Sequence, residues 1–260
     1  MTESKPVRKK KGFGAWARKR VREGVGDLHR VLNGPNFVGK RLGLKLMIDL
    51  DSTIDKHILA FGSYEPAQMQ TLFSAAIAGH KAAEKSLFLD VGANWGVYAL
   101  TASTHGIFDR IVAVEADPRN AAQMHANLFL NRLSDKIEVV CAGASDSSAP
   151  IEFAMAPQRS RDVSQAGPGE DRPGWTKKVI PAVRVDDLSD MKDGFVVAKI
   201  DVEGFEDKAL DGMATLLANN RCYLQIEVFD DNLDNITRKM AGLGFTKVAE
   251  VGNDRYFKNY

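Results

Sequence analysis

The chain has 260 residues, 44% hydrophobic and 27% charged, with a formal net charge of +1, enough apolar material for one sizeable core plus appendages. No apolar run approaches the roughly 18 residues of a membrane span, and no charged-apolar-small secretory pattern opens the chain. Cys141 and Cys222 fall in apolar strand-like runs without Cys or His at ligand spacing, so buried core thiols in a reducing, cytoplasmic compartment are expected.

The net charge conceals an asymmetry. Residues 1–22 carry nine Lys or Arg against Glu3 alone, about +8, which leaves about −7 for the remainder. Pro6, Gly12 and Gly14 amid like charge describe a disordered or weakly helical tail. Phe13, Trp16 and Val21 suit docking on anionic lipid at the inner membrane face or on a phosphorylated glycan. A solubilising or partner-docking tail is the plainer reading. Nucleic acid is not an expected partner, because basic-aromatic interleaving does not continue into the body. Residues 23–85 read as a helical, lid-like segment, with a short strand at 45–50 and helices at 52–61 and 66–78.

Residues 87–100 (Leu-Phe-Leu-Asp-Val-Gly-Ala-Asn-Trp-Gly-Val-Tyr-Ala-Leu) carry the strongest signal. An apolar strand ends at Asp90, a turn holds Gly92 and Gly96, and a helix pattern follows over 97–105. Glycines there let the main chain approach a ligand more closely than any Cβ permits. A dinucleotide fingerprint starting at Gly92 would need glycines where Asn94 and Val97 stand. A carboxylate at Asp90 sits badly beside a pyrophosphate but suits a cationic, hydroxyl-bearing ligand. S-adenosylmethionine has a sulfonium, an ammonium and a ribose diol and no phosphate, so the turn favours it over NAD. A second strand, 110–115, ends in Glu115, placed to accept hydrogen bonds from both ribose hydroxyls. A helix N-cap at Asp90 and an ordinary strand-end charge at Glu115 are the structural alternatives. Pro118 opens the next helix, where its missing N–H costs nothing.

Further strands are read at 137–141, 151–155, 178–185, 195–201 and 221–229, then a helix at 233–243 and a hairpin of 245–251 with 255–258. The polar stretch 156–176 is long for a loop in a compact domain and is expected to face substrate. These elements give a seven-stranded, mostly parallel sheet with helices on both faces and a terminal antiparallel hairpin.

Several runs together resemble the FkbM family of S-adenosylmethionine-dependent methyltransferases, over about residues 61–233. They are Gly62-Ser63-Tyr64-Glu65-Pro66, residues 89–96, Glu115-Ala116-Asp117-Pro118, Asn127 and Asn131. Val185-Asp186-Asp187-Leu188, the run 199–206 (Lys-Ile-Asp-Val-Glu-Gly-Phe-Glu) and Gln225-Ile226-Glu227 complete the set. Trp95 and Ala116 depart from the commoner aliphatic and Pro, and Trp95 is expected to narrow the cofactor mouth. The resemblance implies a Rossmann-like class I methyltransferase over 86–260. It implies a cofactor site of Tyr64, Glu65, Asp90, Gly92, Asn94, Gly96, Glu115 and Asp146, with Tyr64 and Glu65 closing over the methionine end and adenine read near 143–146. It also implies a hydroxyl acceptor on a sugar, glycan or glycosylated natural product.

Lys199, Asp201 and Glu203 alternate along the strand ending near 201, so an extended chain points all three to one side. An alcohol is a poor nucleophile at neutral pH, and a positioned carboxylate contributes roughly 10²–10⁴-fold as general base. Asp201 or Glu203 is the expected base, with Lys199 holding the carboxylate or steadying charge; a structural ion pair is the competing reading. Glu227 with Asp230 and Asp231 could join Asp201 in offering the carboxylate oxygens that Mg²⁺ takes, but the spacing is not diagnostic and no metal is assigned. The five histidines lack ligand spacing and read as ordinary. N-methylation of a small molecule and a non-catalytic, scaffolding cofactor binder are the rival functions.

Overall fold

The computed structural model describes residues 30, 34–80, 85–157, 164–166 and 172–260; the basic segment 1–22 lies outside them. The strands are β1 (Asn36–Arg41), β2 (Leu44–Asp49), β3 (Ser86–Val91), β4 (Arg110–Glu115), β5 (Ile137–Cys141), β6 (Gly143–Ala144), β7 (Ile151–Met155) and β8 (Gln165–Ala166). They continue as β9 (Thr176–Ile180), β10 (Ala182–Val183), β11 (Phe195–Ile200), β12 (Arg221–Glu227), β13 (Thr246–Val251) and β14 (Asp254–Lys258). The helices are α1 (Thr53–Phe61), α2 (Pro66–Gly79), α3 (Val97–His105), α4 (Pro118–Asn131), α5 (Glu206–Asp211), α6 (Ala214–Ala218) and α7 (Leu233–Gly242).

The central sheet has the order β13-β14-β12-β11-β3-β4-β5. Only β14 runs against its neighbours, so six strands share one direction. β3 and β11 are buried along their whole length, which is why both read as unbroken apolar runs. Alternate residues feed two cores. Phe88, Ala113 and Val197 pack with α1–α4, whereas Leu87, Leu89, Val196 and Ala198 pack with α5–α7. Lys199 and Asp90 occupy the α1–α4 side, and the sheet's carboxyl edge on that side forms the site.

The segment before the sheet is not wholly helical. β1 and β2 form an antiparallel hairpin, turned by Leu42 and Gly43 at φ 53° and 76°. Leu46, Ile48, Ile58, Leu72 and Phe73 join the same core as α3 and α4. The hairpin is tied to one face of α4 by side-chain amides at i, i+4 and i+8. Asn127 Oδ1 accepts from Met47 N (2.8 Å), Asn131 brackets Lys45 through its N–H (3.0 Å) and carbonyl (2.7 Å), and Gln123 donates to Met47 O (2.8 Å). α1 starts on Ser52, whose hydroxyl accepts from Asp55 N, and ends on Gly62 in the left-handed region.

Other departures are local. The β-like run at 178–185 breaks at Pro181 into β9 and β10, then a 3-10 turn at Val185–Asp187. β7, β8 and β9 make a separate three-stranded sheet. α5 and α6, unassigned from sequence, meet at Gly212, where a Cβ would come 1.9 Å from Ser145 O. Cys222 is buried as expected, but Cys141 is exposed, because it ends the edge strand β5. No helix among the described residues is long and apolar enough to cross a membrane.

Candidate active site

A cavity of about 350 Å³ opens at the carboxyl ends of β3, β4, β11 and β12, roofed by α1 and the turn before α2. Its floor is the β3–α3 turn. Gly92 takes φ 79°, and a Cβ there would fall 1.7 Å from the Asp201 carbonyl oxygen. The Gly92 and Ala93 N–H groups both donate to Val114 O, at 2.9 and 3.0 Å. Asn94, at φ 53°, donates its backbone N–H to Glu115 Oε2 (2.7 Å). The turn is therefore hydrogen-bonded to β4 and packed against the exit of β11.

Glu115 ends β4 and is buried. It accepts from Asn94 N, Asp117 N (2.7 Å) and Asn120 Nδ2 (3.4 Å), and burial outweighs these bonds to push its carboxyl up to about 8. Beside it, Asn120 Oδ1 is buried with no hydrogen-bond partner among the described residues. A hydroxyl-bearing ligand would meet an acceptor pair there.

Asp90 is behind the cavity wall rather than in it. Its Oδ2 accepts from Ala99 N (2.8 Å) in the first turn of α3, and burial pushes it up to about 6. The helix-capping alternative thus describes its visible contact. Gly96 also lies outside the lining; it starts α3 at φ 87°, and a Cβ would press within 2.7 Å of Met124. Asp146 pairs with Lys208 at the surface, away from the lining, while Gly143 and Ala144 reach the cavity. Trp95 does not narrow the mouth: it is turned into the core, 1% exposed. In the 156–176 loop, Ser164 reaches the cavity and donates to Asp117 Oδ2 (3.0 Å), while 158–163 and 167–171 lie outside the described residues.

Tyr64 and Glu65 come from the roof. Glu65 holds φ 41° just before Pro66, and its carboxylate accepts from Tyr98 OH (2.7 Å). Tyr98 in turn accepts from Gln225 Nε2 (3.1 Å), which also donates to Asp254 Oδ1 (2.7 Å). Glu65, Asn94 and Glu203 (φ 54°) all hold left-handed backbone at the lining, a cost of about 1–3 kcal/mol each that concentrates at functional sites.

Lys199, Asp201 and Glu203 all line the cavity. β11 stops at Ile200, so Asp201 and Glu203 belong to the strand's exit, and Glu203 is placed by its left-handed turn rather than by strand alternation. Lys199 Nζ contacts Asp201 Oδ2 at 2.6 Å and stands 5.2 Å from the Tyr98 ring centre. Burial opposes the ammonium, but Asp201, Asp90 and Glu65 more than offset it and hold Lys199 charged. Glu227 closes the group. Parallel register pairs Ile200 with Ile226, which sets Glu227 beside Asp201 in hydrogen-bond contact. Burial and then Asp201 push Glu227 up to about 9.

His57 on α1 also lines the cavity, its ring 4.6 Å from Phe61 and 6.1 Å from Tyr64, centre to centre. Its sequence neighbours carry no ligand pattern, so only the roof's position reveals it. Tyr98 is equally hidden in the sequence, as one more apolar residue of a core helix. Among the described residues, no group of three or more His, Cys, Asp or Glu is arranged to hold a metal ion, and Asp230 and Asp231 are absent from the lining.

A sequence model described as the methyltransferase FkbM domain matches residues 90–247. The chain belongs to the FkbM methyltransferase family. The structure of methyltransferase FkbM from Methylobacillus flagellatus KT aligns with a TM-score of 0.50 at 19% identity, over 79% of this chain and 53% of that one. This chain thus spans about half the length of that relative. A human methyltransferase 10 domain containing protein aligns at 0.50 and 15% identity, over 93% of this chain and 95% of that one. The METTL16 MTase domain aligns at 0.51 and 15%, over 94% and 81%. At these identities the structures establish the class I methyltransferase fold, which in this chain has a seven-stranded sheet and an N-terminal hairpin. No curated protein sequence matches it.

Proposed function

We propose that this FkbM-type enzyme is an S-adenosylmethionine-dependent O-methyltransferase acting on a hydroxyl of a sugar, glycan or glycosylated natural product. The residues present fit that cofactor. Glu115 and the unpartnered Asn120 Oδ1 suit ribose hydroxyls, Gly92 and Asn94 present main chain to the ligand, and Glu65 with Tyr64 suits the ammonium end. Bound there, the cofactor supplies an electrophilic methyl group on a sulfonium. Asp201, Glu203 and Lys199 then face the acceptor.

The observation that carries the reading is the contact of Lys199 with Asp201 inside a cavity that also contains Glu115 and the glycine turn. One wall recognises a diol and the other holds a fixed carboxylate, as an alcohol acceptor requires. Lys199 orients Asp201 and stays charged. Asp201 takes the hydroxyl proton, with Glu203 the neighbouring carboxylate at the same mouth. The carbohydrate class follows from the family likeness of the motifs.

Two measurements test this. Purified protein with methyl-labelled S-adenosylmethionine and cell-envelope glycan extract should yield O-methyl sugars on hydrolysis; label confined to amines or RNA would replace the acceptor assignment. Glu115→Ala should weaken S-adenosylmethionine binding about tenfold, since two ribose hydrogen bonds at about 0.5–1.5 kcal/mol each are lost. NAD should not compete. Unchanged affinity in Glu115→Ala would remove Glu115 from the cofactor site.

A further inference from the structure

Four carboxylates surround one ammonium at the inner end of the cavity. Asp201, Asp90 and Glu65 act on Lys199, and Glu227 lies against Asp201. Asp254, paired in register with Glu227 across β12 and β14, adds a further acid, and the roof brings Tyr64 toward Lys199 and Asp201. One buried cation cannot keep that many buried and half-buried carboxylates ionised, because like charges withdrawn from water disfavour one another. The geometry decides where the retained proton sits. Lys199 takes Asp201 Oδ2 at 2.6 Å, and Glu227 also contacts the Asp201 side chain. The register of β11 and β12 fixes that contact.

We infer that Asp201 and Glu227 share one proton in the free protein and release it when a sulfonium-bearing cofactor is seated, so that the pair enters the reaction fully ionised. The inference rests on the S-adenosylmethionine reading above and adds Glu227 to the base. A positive sulfonium at the cavity favours the ionised carboxylates, as any nearby opposite charge does. The high proton affinity of Glu227, about 9, is consistent with this place for the proton.

The proton count closes over a cycle. Loading frees one proton to solvent. Methyl transfer then converts the sulfonium to a neutral thioether, the electron pair of the broken carbon–sulfur bond staying on sulfur while the acceptor oxygen bonds the carbon. The acceptor's proton passes to Asp201 and Glu227, which regain their singly protonated state with the cation gone. The pair is thus basic only while a transferable methyl group is present.

Calorimetric titration of the full chain near pH 7.5, in buffers of different ionisation enthalpy, counts the protons without relying on turnover. S-adenosylmethionine should release about one proton more than S-adenosylhomocysteine, which has a neutral thioether in place of the sulfonium. Glu115, also poised near neutrality, faces features common to both ligands, so its contribution cancels in the difference. Glu227→Gln should abolish the difference, and Asp201→Asn should reduce it. Equal proton counts for the two ligands in the wild-type chain overturn the inference even if neither variant folds, as does an undiminished difference in Glu227→Gln. A chain that binds S-adenosylhomocysteine and S-adenosylmethionine with equal proton counts leaves the cofactor reading standing. One that binds neither removes both.

Discussion

Asp201→Asn is expected to lower methyl transfer by about two orders of magnitude or more while cofactor affinity changes little. The substitution keeps the side chain's shape but removes the carboxylate that Lys199 holds at 2.6 Å. Single-turnover transfer from labelled cofactor, with affinity measured separately, separates the chemical step from binding. Glu203→Gln, at the same mouth, should have the smaller effect, because Lys199 fixes the Asp201 carboxylate directly, whereas Glu203 follows the left-handed turn at the strand's exit. The reverse ranking would move the base to Glu203. Near-normal turnover in both variants would remove Asp201 and Glu203 from the role of base. EDTA should not alter the wild-type rate; loss of activity restored by Mg²⁺ would assign a metal role to the acids.

Gly92→Ala is expected to destabilise the fold by about 3 kcal/mol or more and to weaken cofactor binding in whatever fraction still folds. Two costs coincide at one atom: a left-handed φ of 79° and a Cβ that would stand 1.7 Å from the Asp201 carbonyl oxygen. The obstacle is main chain, so no rotamer change relieves it. The turn and the β11 exit must move apart, which disturbs Lys199–Asp201 geometry as well. A fall in denaturant midpoint at unchanged slope measures the first effect. Gly252→Ala is the control, having a similar φ of 62° and nothing closer than 3.9 Å. Equal losses at the two positions would show that the close approach to Asp201 contributes nothing.

The parallel core was legible because its strands are buried on both faces and read as continuous apolar runs between turn signals. The cofactor turn was legible for a related reason: Gly92 directly follows an apolar strand, and Glu115 stands at the tip of the next one, a pairing that loop chemistry alone seldom produces. What escaped reading was set by contacts distant in sequence. Tyr98 acquires its part from Glu65 and Gln225, separated from it by 33 and 127 residues. His57 belongs to the site because α1 is folded over the sheet edge. Glu227 was read, with Asp230 and Asp231, as able to join Asp201; strand register brings Glu227 to Asp201, while Asp230 and Asp231 stay outside the lining. Asp146 illustrates the opposite error, a strand-exit acid whose nearest cation, Lys208, draws it to the surface.

The amide ladder on α4 bears on how this N-terminal hairpin tolerates change. Gln123, Asn127 and Asn131 bond the main chain of Lys45 and Met47, groups that every non-proline residue offers. The docking instructions are therefore written in the helix, and the hairpin supplies only generic peptide groups and an alternating inward face. Outward positions of β1 and β2 are free to drift in sequence without loss of attachment, while the three amides are not. A saturation scan would record that asymmetry directly, with tolerance high along one partner and low along the other. Such a hairpin offers a surface whose chemistry can diversify from one lineage to the next above an unchanged catalytic floor.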